Sequence, residues 1–192
     1  PTETKVEGKS DLEALVALNK KLQLPNTAWT NVAKFEGTAS EVAAIKAALK
    51  VVEDANVTIT IGQISAADAS AIAKGTTGDV TATIKDGSVA ATLKALKDVD
   101  TDVQSNILTF KSTDKTADAK ALVDLADLVT EDFSSVQTIT SKAADIEKNG
   151  VTDVTTALGL PTVGNPAVTI TNGTISAAEA AAISKETGGK VT

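Results

Sequence analysis

The chain has 192 residues, a formal net charge of −7 and a pI near 4.6. It is 42% hydrophobic but only 2% aromatic, and it contains no Cys, His, Met or Tyr. That composition excludes a disulfide framework and thiol chemistry, and it removes the commonest general base and nucleophile. The acidic balance also disfavours nucleic acid, whose phosphates need basic patches.

In chain order, Thr4 to Gly8 (TKVEG) reads as a first strand. Ser10 to Glu13 (SDLE) matches a capping box, in which a hydroxyl and a carboxylate satisfy free amides at a helix start. The helix runs to about Leu22, with Leu12, Leu15, Leu18 and Leu22 at helical spacing. Pro25 stops it, and the following turn holds the single Trp, Trp29, read as a packing plug under a loop rather than a ligand platform. Val32 to Gly37 is the second strand. Thr38 to Glu41 (TASE) caps a helix with Val42, Ile45, Leu49 and Val52 on one face and Lys46 and Lys50 on the other.

The third strand opens the stretch Val57 to Thr81, VTITIGQISAADASAIAKGTTGDVT. It recurs 111 residues later as Val168 to Thr192, with 17 of 25 positions identical. Such self-similarity marks a repeat architecture. Val57, Ile59 and Ile61 alternate with Thr58 and Thr60, the period of a strand. Gly62 breaks it. Ser65 to Asp68 and Ser176 to Glu179 then open Ala-rich helices to about Lys74 and Lys185. Gly78 and Gly189 are expected to end them in the left-handed conformation.

Further strands are expected at Asp79 to Ile84, Ile107 to Phe110, Val136 to Thr140 and from Val168. The helix after the fourth strand shows Val89, Leu93 and Leu96 on one face. The helix at about 116–129 buries Leu122, Leu125 and Val129. Short helices are expected near 143–148 and 154–158. Strands therefore start near residues 4, 32, 57, 79, 107, 136 and 168.

Alternating strands and helices predict an α/β fold of repeated βα units with a mainly parallel sheet, since parallel strands need a crossover. Regular spacing and Ala-rich helices favour a solenoid; the alternative is a compact doubly wound α/β domain. The chain is read as one array, residues 1–192, of about seven βα units, with a candidate sub-boundary near 159–167. The second copy stops inside its next strand at Thr192, which reads as a segment of something longer. No apolar run approaches the roughly 18 residues of a membrane span, and no signal-peptide pattern opens the chain.

Few residues suggest chemistry. Asp98, Asp100 and Asp102 have the alternate-carboxylate spacing of a calcium loop. Val103 replaces the required glycine and Thr109 the bidentate Glu, so a solvated acidic loop is the preferred reading. Gly62 and Gly173 precede helix starts, but no phosphate-loop pattern accompanies them. Asn56 and Asn172 head Asn-x-Thr triplets, which arise readily by chance in a Thr-rich chain. No catalytic or cofactor-binding residue is singled out.

The stretch VTITIGQISAADASAIAKGTTGDVTATIKDG, with Gly159 to Ile170 (GLPTVGNPAVTI), resembles a repeat of very large exported surface proteins of bacteria, cyanobacteria especially. The resemblance covers about residues 55–95 and 159–192. It implies a structural role in an S-layer-like, adhesin-like or filament protein, and it brings no catalytic residues.

The expectation is thus a non-enzymatic, extracellular structural repeat protein of a surface layer or filament. Its partners are other copies, meeting head-to-tail near residues 1–35 and 165–192. The alternatives are an adhesin segment that binds a surface glycan or another partner, and a virion fibre or capsid-decoration component.

Overall fold

A computed structural model describes residues 4–99 and 106–192. The chain is α/β, with parallel pairing in every named strand pair whose register is known, and eight α-helices among the described residues. It separates into two compact units. Unit 1 is Pro1–Lys85 with Ala95–Thr109, and unit 2 is Asp86–Lys94 with Phe110–Thr192.

Unit 1 begins with β1 (Thr4–Glu7) and α1 (Gly8–Leu22), then a 3-10 turn at Asn26–Trp29. It continues through β2 (Val32–Thr38), α2 (Val42–Ala48), β3 (Asn56–Ile61), α3 (Ala66–Ala73) and β4 (Val80–Thr83). The helix α4 (Val89–Leu96) and the strand β5 (Ile107–Lys111) each contribute part of their length. The strands lie side by side in chain order, β1-β2-β3-β4-β5, with Phe35 beside Val57, Val57 beside Val80 and Ala82 beside Leu108. Alternate residues on these strands are buried: Phe35, Val57, Ile59, Val80, Ala82 and Leu108. They form the core with Leu12, Ile45, Leu49, Ile72 and Leu96. The intervening residues, among them Lys34, Glu36, Thr58, Thr60, Thr81, Thr83 and Thr109, are half-buried or exposed. A parallel sheet covered on both faces would show continuous apolar strands; this period-two pattern is that of a sheet with one solvated face. On it Lys5 and Lys34 pair with Glu36 at 3.5 and 3.1 Å, and Thr109 donates to Thr83 at 3.1 Å.

Unit 2 contains β6 (Thr116–Asp118), α5 (Ala119–Ala126), β7 (Thr130–Asp132) and β8 (Thr138–Lys142). It then adds α6 (Ala143–Asn149), α7 (Thr152–Leu158), β9 (Ala167–Thr171) and α8 (Ala177–Glu186). A three-stranded parallel sheet runs β6-β8-β9, and Val191 bridges to Val168 beyond it. The core is Phe110, Leu122, Leu125, Phe133, Ile139, Ile146, Val154, Val168 and Ile183, all nearly inaccessible.

The expected strand starts agree with the structure to within two residues. Three local expectations change. First, α1 starts at Gly8, so Ser10 lies inside it and Glu7, at the cap position, makes no side-chain cap bond. The cap comes from elsewhere: the Glu41 carboxylate accepts from the Lys9 N–H at 2.9 Å and from Thr38 N–H at 2.7 Å. Second, the helix expected from about 116 begins at Ala119, because Thr116–Asp118 pairs with Thr138–Thr140 as β6 and Asp118 caps the helix through Ala121 N–H at 3.1 Å. The strand β7, three residues long, was likewise not expected. Third, Gly78 and Gly189 do not adopt the left-handed conformation; Gly62 (φ 87°) and Gly173 (φ 144°), in the strand-to-helix turns, do.

Candidate functional site

Gly78 and Gly189 owe their identity to close approach instead. A Cβ on Gly78 would fall 2.7 Å from the Ala55 carbonyl carbon, and one on Gly189 would fall 2.7 Å from that of Pro166. In each copy a buried threonine closes the same junction. The Thr76 hydroxyl donates to Ala55 C=O at 2.6 Å and accepts from Gly78 N–H at 2.9 Å. Thr187 donates to Pro166 C=O at 2.8 Å and accepts from Gly189 N–H at 2.9 Å. One hydroxyl thereby ties the end of a helix to the residue that leads into the preceding strand. From the sequence alone this Thr-x-Gly triplet reads only as a helix end. Its recurrence at an offset of 111 residues was the available signal.

A groove of about 660 Å³ lies in unit 1, between α2 and the end of α3. Ala43, Ala47 and Ala71 give it apolar walls, with Leu49, 2% exposed, beneath them. Lys46 on α2, Lys50 in the turn that follows that helix, and Lys74 at the end of α3 line it, beside Glu53 and Thr77. Two of these cations are already engaged. Lys46 pairs with Asp68 at 3.0 Å, and Lys74 pairs with Asp98 at 3.3 Å. Lys50 has no ion pair among the described residues. Asp68 also receives the Ser65 hydroxyl at 2.8 Å, while Ser65 caps α3 by accepting from Asp68 N–H at 3.0 Å. The Lys46 hydrogen bond, then that of Ser65, hold the Asp68 carboxyl below its ordinary range. The volume is that of a small-molecule site. Its lining offers lysines to an anionic group and alanines to an apolar one.

The other residues singled out in the sequence are placed as follows. Asp98 is exposed and paired with Lys74; Asp100 and Asp102 lie outside the described residues. Among the described residues no group of three or more acidic side chains is placed to hold a metal ion. The Trp29 indole donates to Asn19 Oδ1 at 2.8 Å and is half-buried, tying the turn to α1. Phe110 is 3% exposed, a core residue. No described helix is long and apolar enough to cross a membrane. Compared with known protein families, with curated proteins and with solved structures, the chain matches none of them.

Proposed function

We propose that the chain is a non-enzymatic, extracellular structural repeat protein whose βα units stack as a solenoid and whose copies assemble head-to-tail in a surface layer or filament. The sequential strand order of unit 1 supports the solenoid, because a doubly wound sheet reverses strand order at its switch point. The observation that carries the assembly reading is a difference in cover between the two copies of the repeat. On α3, Ser70 and Ala73 are 6% and 3% exposed. Their counterparts on α8, Ala181 and Ser184, are exposed. The same helix face is thus covered in one copy and open in the other, and in a repeat array such a face is where the next unit seats, whether of the same chain or of another copy. A heterologous contact of this kind does not close on itself unless its rotation makes a ring, so it propagates.

The test is light scattering over rising concentration, with electron microscopy of any large species. Mass should rise with concentration, and Ala181→Arg should suppress that rise while leaving the fold intact. A chain that stays monomeric at high concentration would remove the assembly reading. The groove between α2 and α3 supports a second reading, an adhesin segment that holds an anionic partner. In that case Lys50→Glu abolishes binding to an anionic glycan array without changing assembly.

A further inference from the structure

The sequence contains two Asn-Gly pairs, Asn149–Gly150 and Asn172–Gly173. In such a pair the glycine nitrogen can close on the asparagine side-chain carbonyl carbon, because glycine has no Cβ to block the approach and its backbone turns freely. The structure separates the two pairs. The Gly150 N–H donates to Ile146 C=O at 2.7 Å at the end of α6, so its nitrogen is held in a helical bond. Neither the Gly173 N–H nor the Asn172 side chain has a partner among the described residues. Asn172 is exposed and sits at φ 57°, in the left-handed region that asparagine enters more readily than other residues with a side chain. Gly173 follows at φ 144° in the turn between β9 and α8.

We infer that Asn172 is a site of spontaneous deamidation and that Asn149 is protected by the fold. The Gly173 nitrogen attacks Asn172 Cγ. A new C–N bond forms, the Cγ–Nδ2 bond breaks, and the leaving nitrogen departs as ammonia with the proton that Gly173 gives up. The product is a five-membered succinimide. Water then opens it at one of its two carbonyls, giving aspartate or isoaspartate at 172. The step consumes only water and needs no oxidant, reductant or cofactor.

Both products add a negative charge just ahead of α8, where the helix dipole tolerates it. They differ in backbone. Isoaspartate inserts a methylene into the main chain, in a turn already so tight that a Cβ on Gly173 would fall 2.9 Å from the Ala143 methyl. The isoaspartyl form therefore loosens the β9–α8 junction, and the aspartyl form does not. The change is confined to one copy of the repeat, because Ile61 stands at the matching position of the other.

The experiment ages the intact, folded chain at mildly alkaline pH and locates the acid form by peptide fragmentation. Fragmentation is required because a lysine-specific protease leaves both asparagines in one peptide between Lys148 and Lys185. Residue 172 should convert at least about tenfold faster than residue 149, because Gly150 must first leave its helical bond through local opening. In denaturant the two sites should convert at similar rates. Asn172→Gln should remove the fast phase, and Asn149→Gln should leave it. Equal rates in the folded chain, or conversion at 149 first, would overturn the assignment.

Discussion

The two copies of the repeat, Val57–Thr81 and Val168–Thr192, are an internal experiment in what a sequence decides locally. Both turn from strand to helix through a glycine at positive φ, and both glycines lie against an alanine methyl, Ala39 in one copy and Ala143 in the other. Both helices start at a serine whose oxygen accepts from the amide three residues on. Both end in the same threonine and glycine junction. What differs is cover: Ser70 is buried where Ala181 is exposed. Caps and turns thus follow from the residues themselves, whereas burial follows from what is packed against them.

The largest effect that would sharpen this comparison lies in the core. Ile72 and Ile183 occupy the same position of the repeat, and both are 0% exposed. Truncating either to Ala should cost about 2–5 kcal/mol, as deletion of a buried aliphatic side chain does. Ile183→Ala should fall at the low end, because the more open α8 can relax or admit water. Chemical denaturation of both variants checks this. A larger loss at Ile183 than at Ile72 would break the view that α8 is the less covered copy.

Next come the junctions. Gly78→Ala and Gly189→Ala each force a methyl against a backbone carbonyl that has no rotamer in which to retreat, and each should cost about 1–3 kcal/mol. Thr76→Val and Thr187→Val keep the shape and remove the hydroxyl, stranding a buried carbonyl at a similar cost of about 1–3 kcal/mol. The two copies should respond alike, since the junction is local to each. The helix caps rank below: Ser65→Ala and Ser176→Ala should each lower the unfolding free energy by about 1 kcal/mol.

What was legible in the sequence divides along the same line. The alternation of Val57, Ile59 and Ile61 with threonines places β3, and Ser65 and Ser176 mark true helix starts, while Thr38 caps a 3-10 turn, Ala39–Glu41, ahead of α2; these signals lie within a few residues of one another. The strands β6 and β7, three residues each, are too short to show a period, and they exist through their partners. The start of α1 was misplaced because its cap is Glu41, 32 residues from Lys9. The groove was half visible. The sequence shows Lys46 and Lys50 as one polar stripe, although α2 ends at Ala48, and nothing near them in the chain indicates that Lys74 and Ala71 line the same groove.

The smallest effect separates the two copies by the chemistry of one carboxylate. Glu179 is one methylene longer than Asp68 and completes the capping box, accepting from the Ser176 hydroxyl at 2.7 Å and the Ser176 N–H at 2.8 Å. Those two bonds, the hydroxyl's first, hold its carboxyl below the ordinary range. Asp68 is held down first by the Lys46 ammonium and then by Ser65. Both folded pKa values are depressed, so each group contributes stability that is present above its unfolded pKa near 4 and is lost as the pH falls through the folded value. The loss that these two carboxyls cause is therefore confined to acid, and the chain has no His to titrate near neutrality. Salt then tells the copies apart. Added salt screens an exposed ion pair and leaves a hydroxyl or amide bond to a carboxylate largely intact. Carboxyl titration by NMR at low and high salt should therefore show Asp68 moving up toward its ordinary value while Glu179 stays depressed. If both move together, Asp68 is held by its cap alone, and the Lys46 pair contributes nothing that distinguishes the two copies.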